Sequence, residues 1–417
     1  MKERAIKFLK WTEKFTRTDM VYATKSGFWL MASQIFGAGA SFVLAIVFAH
    51  FVSKDTLGTY RYILSIAGIA SAFSLTGMNT AVIKAVAQGF PDVFKPSLIS
   101  QLKWGILQFT IISSFAIYYL CNTNYLYAVS FAIVAICGPI SGVANTYNAF
   151  LQGKKDFRSS ATFGILSNSA YFVAVASISI LYPNFVAMVA AYYLANTIAN
   201  IWSCAIVLKR NPQHSPTASF SKDISYGKHI SLMNFASVIA SQADSVLVYH
   251  FLGPAQLAIY AFSTIIPERV KTMFNVIGIA ALPKFSENIH NEEAHLAGVK
   301  RKTLQLIIFA VIIICAYCLA APYIYKIFFP QYLSSVFYSQ VYSLSLLVIA
   351  ANISIPSLFA RHKQKELYIL SIVLPIIKII VSVVTIAIWG IWGAIISKLF
   401  QYTLQLSMSL GFATRAK

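Results

Sequence analysis

The sequence predicts an all-α integral membrane protein of about twelve transmembrane helices, arranged as two parallel-repeat six-helix lobes around a central cavity. Three observations lead there. Of the 417 residues, 58% are hydrophobic and only 11% charged, against roughly 25% charged in soluble domains, and the mean hydropathy is +0.68. Apolar runs recur from residue 27 to residue 412, leaving no stretch for a separate soluble domain. Segments of the two halves also echo one another at a fixed offset, which marks an internally duplicated transporter-like chain.

Residues 1–26 carry seven basic residues, Lys2, Arg4, Lys7, Lys10, Lys14, Arg17 and Lys25, without the short apolar core and small-residue site of a cleaved signal peptide. They are expected to form a basic amphipathic arm on anionic headgroups, with Ile6, Phe8, Leu9, Trp11 and Phe15 at the interface. The two stretches 104–153 and 159–208 are each 50 residues long and free of charge. A helix crosses the hydrocarbon core with about 20 residues, so each stretch holds two spans, divided at Asn122-Thr123-Asn124 and at Pro183-Asn184. The same test places spans at 27–52, 60–83, 104–121, 125–149, 160–182 and 185–208, an N-lobe over 27–208. A polar linker at 209–228, with Pro212 and Pro216, leads to a C-lobe over 229–412. Its spans are 229–252, 256–282, 303–322, 333–359, 367–389 and 391–412, and 413–417 is a short tail.

Orientation follows from Lys and Arg in the short connections. With both termini cytoplasmic, the inside segments collect 26 basic residues and the outside loops only three, Lys54, Arg61 and Lys326. That asymmetry accounts for most of the net charge of +20. No basic face with interleaved aromatics remains for nucleic acid.

The repeat is visible where His50 to Tyr60 aligns with His250 to Tyr260 at an offset of 200, with four of eleven positions identical. Gly153-Lys154-Lys155-Asp156 pairs more loosely with His362-Lys363-Gln364-Lys365-Glu366. Each half has an even number of spans, so both enter from the same side and the repeat is parallel.

Four basic residues, Arg269, Lys271, Lys378 and Lys398, fall inside spans. A cation at the bilayer centre costs roughly 2.5 to 3.5 kcal/mol, so such groups face a bundle interior or a watery cavity. Arg269 and Lys378 lie at the midpoints of their spans, and Lys398 is near enough to an end to snorkel. Only Glu268 and Asp244 oppose them, as charge partners or as ion-coupling groups; Glu268 and Lys271 share a helix face. Pro267 is expected to bend its helix. One reading has these charges neutralise each other and lock packing; the other uses the cationic surplus to receive an anion in the cavity. In the first half, Gln34, Asn79, Asn145, Asn148, Asn168, Asn196 and Asn200 suit either a sugar-binding groove or helix packing. The cysteines Cys121, Cys137, Cys204, Cys315 and Cys318 lack metal or disulfide spacing. No metallohydrolase, phosphate-loop or nucleophile-elbow motif is present, so a catalytic site and a metal are not expected.

At these residues the sequence resembles the Wzx-type O-antigen and polysaccharide flippases of the MOP (multidrug/oligosaccharidyl-lipid/polysaccharide) exporter superfamily. The resemblance rests on the turn from Ala243-Asp244-Ser245 through His250-Phe251-Leu252-Gly253-Pro254 to Ile259-Tyr260, on Leu57-Gly58-Thr59-Tyr60, and on Trp389-Gly390-Ile391-Trp392-Gly393-Ala394. It implies the MATE-like MOP fold and a non-enzymatic function: alternating access that moves an undecaprenyl-diphosphate-linked oligosaccharide across a bacterial inner membrane. It further implies that Arg269, Lys271, Lys378 and Lys398 line a cationic cavity. No cofactor is expected; an H+ or Na+ gradient remains open as the driving force. The partners it implies are the lipid-linked oligosaccharide, membrane lipids and other polysaccharide-assembly membrane proteins. A MATE-like small-molecule or cation antiporter stays open as an alternative, as does a membrane-embedded polysaccharide-assembly enzyme. Spans 1 to 6 contain no Asp or Glu, unlike the acidic first-lobe site that the resemblance implies for the antiporters.

Overall fold

The computed structural model describes the backbone at 20–212, 220–287, 292–351, 366 and 368–414; side chains are described over the same residues except 20–28, 30, 221, 273–302 and 413–414. Residues 1–19 of the basic arm, the loop carrying Arg361 to Lys365 and the end of the tail lie outside these residues. The described chain is a succession of helices: α1 (Met20–Phe51), α2 (Lys54–Ser71), α3 (Met78–Ala87), α4 (Phe94–Cys121), α5 (Tyr125–Ala144), α6 (Thr146–Gly153), α7 (Phe157–Leu181) and α8 (Phe185–Arg210). The second half continues with α9 (Ser221–Leu252), α10 (Pro254–Glu287), α11 (Glu292–Phe328), α12 (Ser335–Tyr342), a 3-10 stretch at Ser343–Ala350, α13 (Leu374–Trp389) and α14 (Ile391–Thr414).

Local chemistry sets the ends. Ser53, Asp156 and Asn184 accept hydrogen bonds from the backbone N–H groups of Thr56, Ser159 and Val186, satisfying donors that the first turns of α2, α7 and α8 leave free. Gly253 and Gly390 close α9 and α13 with φ of 85° and 59°, a region costly for residues with a Cβ. Among the described residues, eight stretches are long and apolar enough to cross a bilayer. The other four expected spans fall on α2 with α3, α10, α12 with its 3-10 continuation, and α14. Three of these four carry ionisable residues at depth, and two are interrupted, so simple length and hydropathy pass over them. At Pro267 the helix α10 continues without a break. One absent N–H is tolerated in a long, packed helix. The interruptions lie instead at 72–77, at Asn145 between α5 and α6, and at Ser343–Ala350.

In the N-lobe α1 packs on α7, and α5 on α4 and α8; in the C-lobe α13 packs on α9 and α14, and α10 on α12. The seam between lobes runs along α2 and α3 on one side and α9 and α10 on the other. It is tightest at two glycines. A Cβ on Gly58 would fall 1.8 Å from the carbonyl oxygen of Pro254, and one on Gly77 would fall 2.5 Å from the amide nitrogen of Ser231. The Gly77 N–H also donates to Ser231 Oγ at 2.9 Å.

Candidate functional site

Between the lobes lies a chamber of about 1280 Å³, walled by helices of both halves. The duplication seen in sequence is carried into its walls. Gly37 and Ser41 on α1 face it as Ser237 and Ser241 do on α9; Arg61, Leu64, Ser65 and Gly68 on α2 match Ala261, Thr264, Ile265 and Glu268 on α10. Ser160, Gly164 and Asn168 on α7 correspond to Leu370, Leu374 and Lys378 at an offset of 210. Equivalent helices thus present equivalent faces, while the side chains on them have diverged.

The C-lobe wall is ionic. Lys378 Nζ lies 2.6 Å from Asp244 Oδ1, both side chains being 1% exposed, and it donates a further hydrogen bond to the Ala240 carbonyl. Ser382 donates to Asp244 Oδ1 at 3.1 Å and Tyr260 to Oδ2 at 3.5 Å. Two helical turns beyond Tyr260 along α10, Glu268 Oε1 accepts from Lys271 at 2.7 Å, from Tyr402 at 3.3 Å and from Tyr342. Lys398 sits between the two clusters, 3.8 Å from Asp244 Oδ2 and 4.0 Å from Glu268 Oε1, with the rings of Tyr260 and Tyr342 at 5.8 and 5.6 Å. It points inward to the chamber rather than snorkelling to an interface.

The sequence-predicted cations therefore divide. Lys378 and Lys271 are held against carboxylates, and Lys271 does not reach the chamber wall. Burying an ion pair is tolerable only with such close partners and extra hydrogen bonds. Arg269 is exposed to the chamber, and among the described residues no carboxylate lies within 4.0 Å of it. A fifth cation, Arg61, joins the wall from α2. Sequence reasoning put it in an outside loop, but α2 begins at Lys54, six residues before the expected span, and carries Arg61 two turns inside. The capping Ser53 and the acidic Asp55 in the first turn were the signal for that earlier start. Arg61 Nε is buried without a hydrogen-bond partner among the described residues, and Arg61 and Arg269 line the same chamber. Among the described residues, four cations and one carboxylate line the chamber, a formal surplus of three.

The N-lobe wall is polar without charge apart from Arg61. Asn200 is tied into the helix packing: it donates to Ser141 Oγ at 3.0 Å and Asn196 Oδ1 at 2.8 Å, and accepts from Ser167 at 3.2 Å. Asn148 accepts from Gln152 and Ser160. Tyr171, Tyr192 and Tyr193 form a run of edge-to-face rings with centroids 5.3 and 5.1 Å apart. Beside it, Gln108 is 6% exposed and lines the chamber.

Solved structures share this fold. The chain is similar to the lipid II flippase MurJ in an inward closed conformation, with a TM-score of 0.64 at 15% identity over 94% of this chain and 88% of that one. It is also similar to a multidrug resistance MATE family transporter of the MOP superfamily in its outward-facing conformation, with a TM-score of 0.60 at 14% identity over 93% and 94% of the two chains. A MOP superfamily transporter from Pyrococcus furiosus aligns with a TM-score of 0.52 at 15% identity over 95% and 94%. No curated protein matches by sequence. The model of the polysaccharide biosynthesis protein family matches residues 23–289, and the chain belongs to that family. It is a multi-pass membrane protein with an all-α MOP fold.

Proposed function

We propose that this protein is a flippase for an undecaprenyl-diphosphate-linked oligosaccharide, moving it from the inner to the outer leaflet of a bacterial inner membrane by alternating access. Both termini and the basic connections would face the cytoplasm. The observation that carries the reading is the pair of guanidinium groups, Arg61 from one lobe and Arg269 from the other, that face a common chamber without carboxylate partners among the described residues. A planar guanidinium matches phosphate oxygens with paired N–H donors. Held by both lobes at once, an anionic head group would screen their repulsion and draw the lobes together, while the lipid tail stays in the bilayer. Lys398 lies at the edge of the same space and supplies a third positive charge. Lys378, locked to Asp244, acts in this reading as a strut for the C-lobe wall.

Membership of the polysaccharide biosynthesis family and the fold shared with MurJ support this assignment. A cation antiporter of the same frame would need a carboxylate free to exchange ions; Asp244 and Glu268 are each bound by lysine. The test is the double substitution Arg61→Gln with Arg269→Gln, in a host whose surface polysaccharide depends on this chain. Surface polysaccharide should fall by at least about tenfold while the protein remains inserted, the loss expected when two charge-assisted contacts to phosphate are removed. Unchanged polysaccharide in that variant removes the assignment.

A further inference from the structure

We infer that the N-lobe half of the chamber is a subsite for an uncharged glycan, built from Gln108, Asn168, Asn196 and the tyrosines Tyr171, Tyr192 and Tyr193. The inference rests on the flippase reading for the lipid-diphosphate end and assigns the sugar end.

The buried amides of this lobe fall into two groups, and the difference identifies a ligand site. Asn200 spends its hydrogen-bonding capacity on Ser141, Ser167 and Asn196, as packing residues do, and Asn148 Oδ1 is taken by Ser160 and Gln152. Gln108 is 94% buried against the chamber wall, yet among the described residues no group hydrogen-bonds to its side chain. Asn168 also faces the chamber with no side-chain partner among the described residues. A buried amide without an internal partner is costly unless water or a ligand completes it. Asn196 uses its oxygen to receive Asn200 and lies on the chamber wall in hydrogen-bonding reach of Tyr192.

Amides pair a donor and an acceptor a short distance apart, the arrangement that engages neighbouring hydroxyls of a sugar. The tyrosine run lies alongside, and the apolar C–H face of a pyranose packs on such rings while its hydroxyl rim meets the amides. Small residues make room: a Cβ on Gly138 would lie 3.5 Å from Gln108 Nε2 and 3.9 Å from the Tyr193 ring, and one on Gly142 would meet nothing within 4 Å. Apart from Arg61 at the border with the C-lobe, the N-lobe residues lining the chamber carry no charge. An ionised sugar placed there would lose hydration without gaining a countercharge, so the wall selects neutral sugars.

Binding to the purified full-length protein tests this with three probes: farnesyl diphosphate, farnesyl diphosphate bearing a neutral trisaccharide, and the same molecule with one sugar replaced by a uronic acid. The neutral trisaccharide should tighten binding about tenfold over farnesyl diphosphate alone, the value of one or two net hydrogen bonds. The Gln108→Ala, Asn168→Ala double variant should lose that gain while its farnesyl diphosphate affinity stays within about twofold, which also shows that it is folded. The inference is overturned if the wild type shows no gain, if the double variant keeps it, or if the uronic acid probe binds as well as the neutral one. Should farnesyl diphosphate not bind the wild type, the diphosphate reading fails by itself. The free neutral trisaccharide then decides the subsite: saturable binding that depends on Gln108 sustains it, and no binding overturns it.

Discussion

At matched positions of the repeat the two lobes hold opposite chemistry: Lys378 stands where the N-lobe has Asn168, Glu268 where it has Gly68, and Asp244 where it has Leu44. The C-lobe ties its lysines to its carboxylates through close ion pairs and leaves Arg269 to the chamber, whereas the N-lobe uses amides and hydroxyls. Duplication supplied a common frame, and divergence gave one half an ionic wall and the other a neutral one. A chamber made in this way can hold a ligand that is itself divided, charged at one end and hydroxyl-rich at the other.

The sharpest way to break the comparison is to unpair the C-lobe. Asp244→Asn leaves Lys378 buried without its carboxylate and should cost about 3 to 5 kcal/mol in detergent unfolding. Adding Lys378→Met should recover most of that loss; a single variant as stable as the parent would mean that the pair is not structural. A smaller effect is expected at the seam. Gly58→Ala drives a methyl group against the Pro254 backbone, where neither side can yield, and should cost about 1 to 3 kcal/mol as overpacking does. Its repeat counterpart Ala258 already carries a Cβ and is fully buried, so Ala258→Gly should cost only about 1 kcal/mol; equal effects at the two sites would deny the asymmetric seam. The smallest expected change separates the two kinds of N-lobe amide. Asn200→Ala strips three hydrogen bonds from the packing and should lower stability by about 1 to 3 kcal/mol, while Asn168→Ala should change it by less than about 0.5 kcal/mol. Thermal unfolding of the pair would show whether they belong to one class.

Much of the frame was legible before any coordinates. The turns at Phe51 to Lys54 and Leu252 to Pro254, the break at Asn122 to Asn124 and the glycine at 390 appear where turn chemistry and span length put them. Pro267 does not interrupt α10, because a long packed helix tolerates the loss of one N–H. Arg61 was misplaced because a helix start is set by a cap at Ser53, seven residues ahead of the expected span. The pairing of Glu268 with Lys271 follows from their spacing on one helix, but the pairing of Asp244 with Lys378 joins residues 134 positions apart on α9 and α13 and has no local signature.

What the sequence determined by itself was the solvent of the fold: apolar runs too long and too numerous for water oblige the backbone to close its hydrogen bonds within helices. It also determined the repeat, since similar segments at similar depth fold alike. Only the tertiary structure decided which cations are spent on carboxylates and which face the chamber. An ion pair is a matter of ångströms between side chains on different helices, and a linear order of residues does not contain those distances.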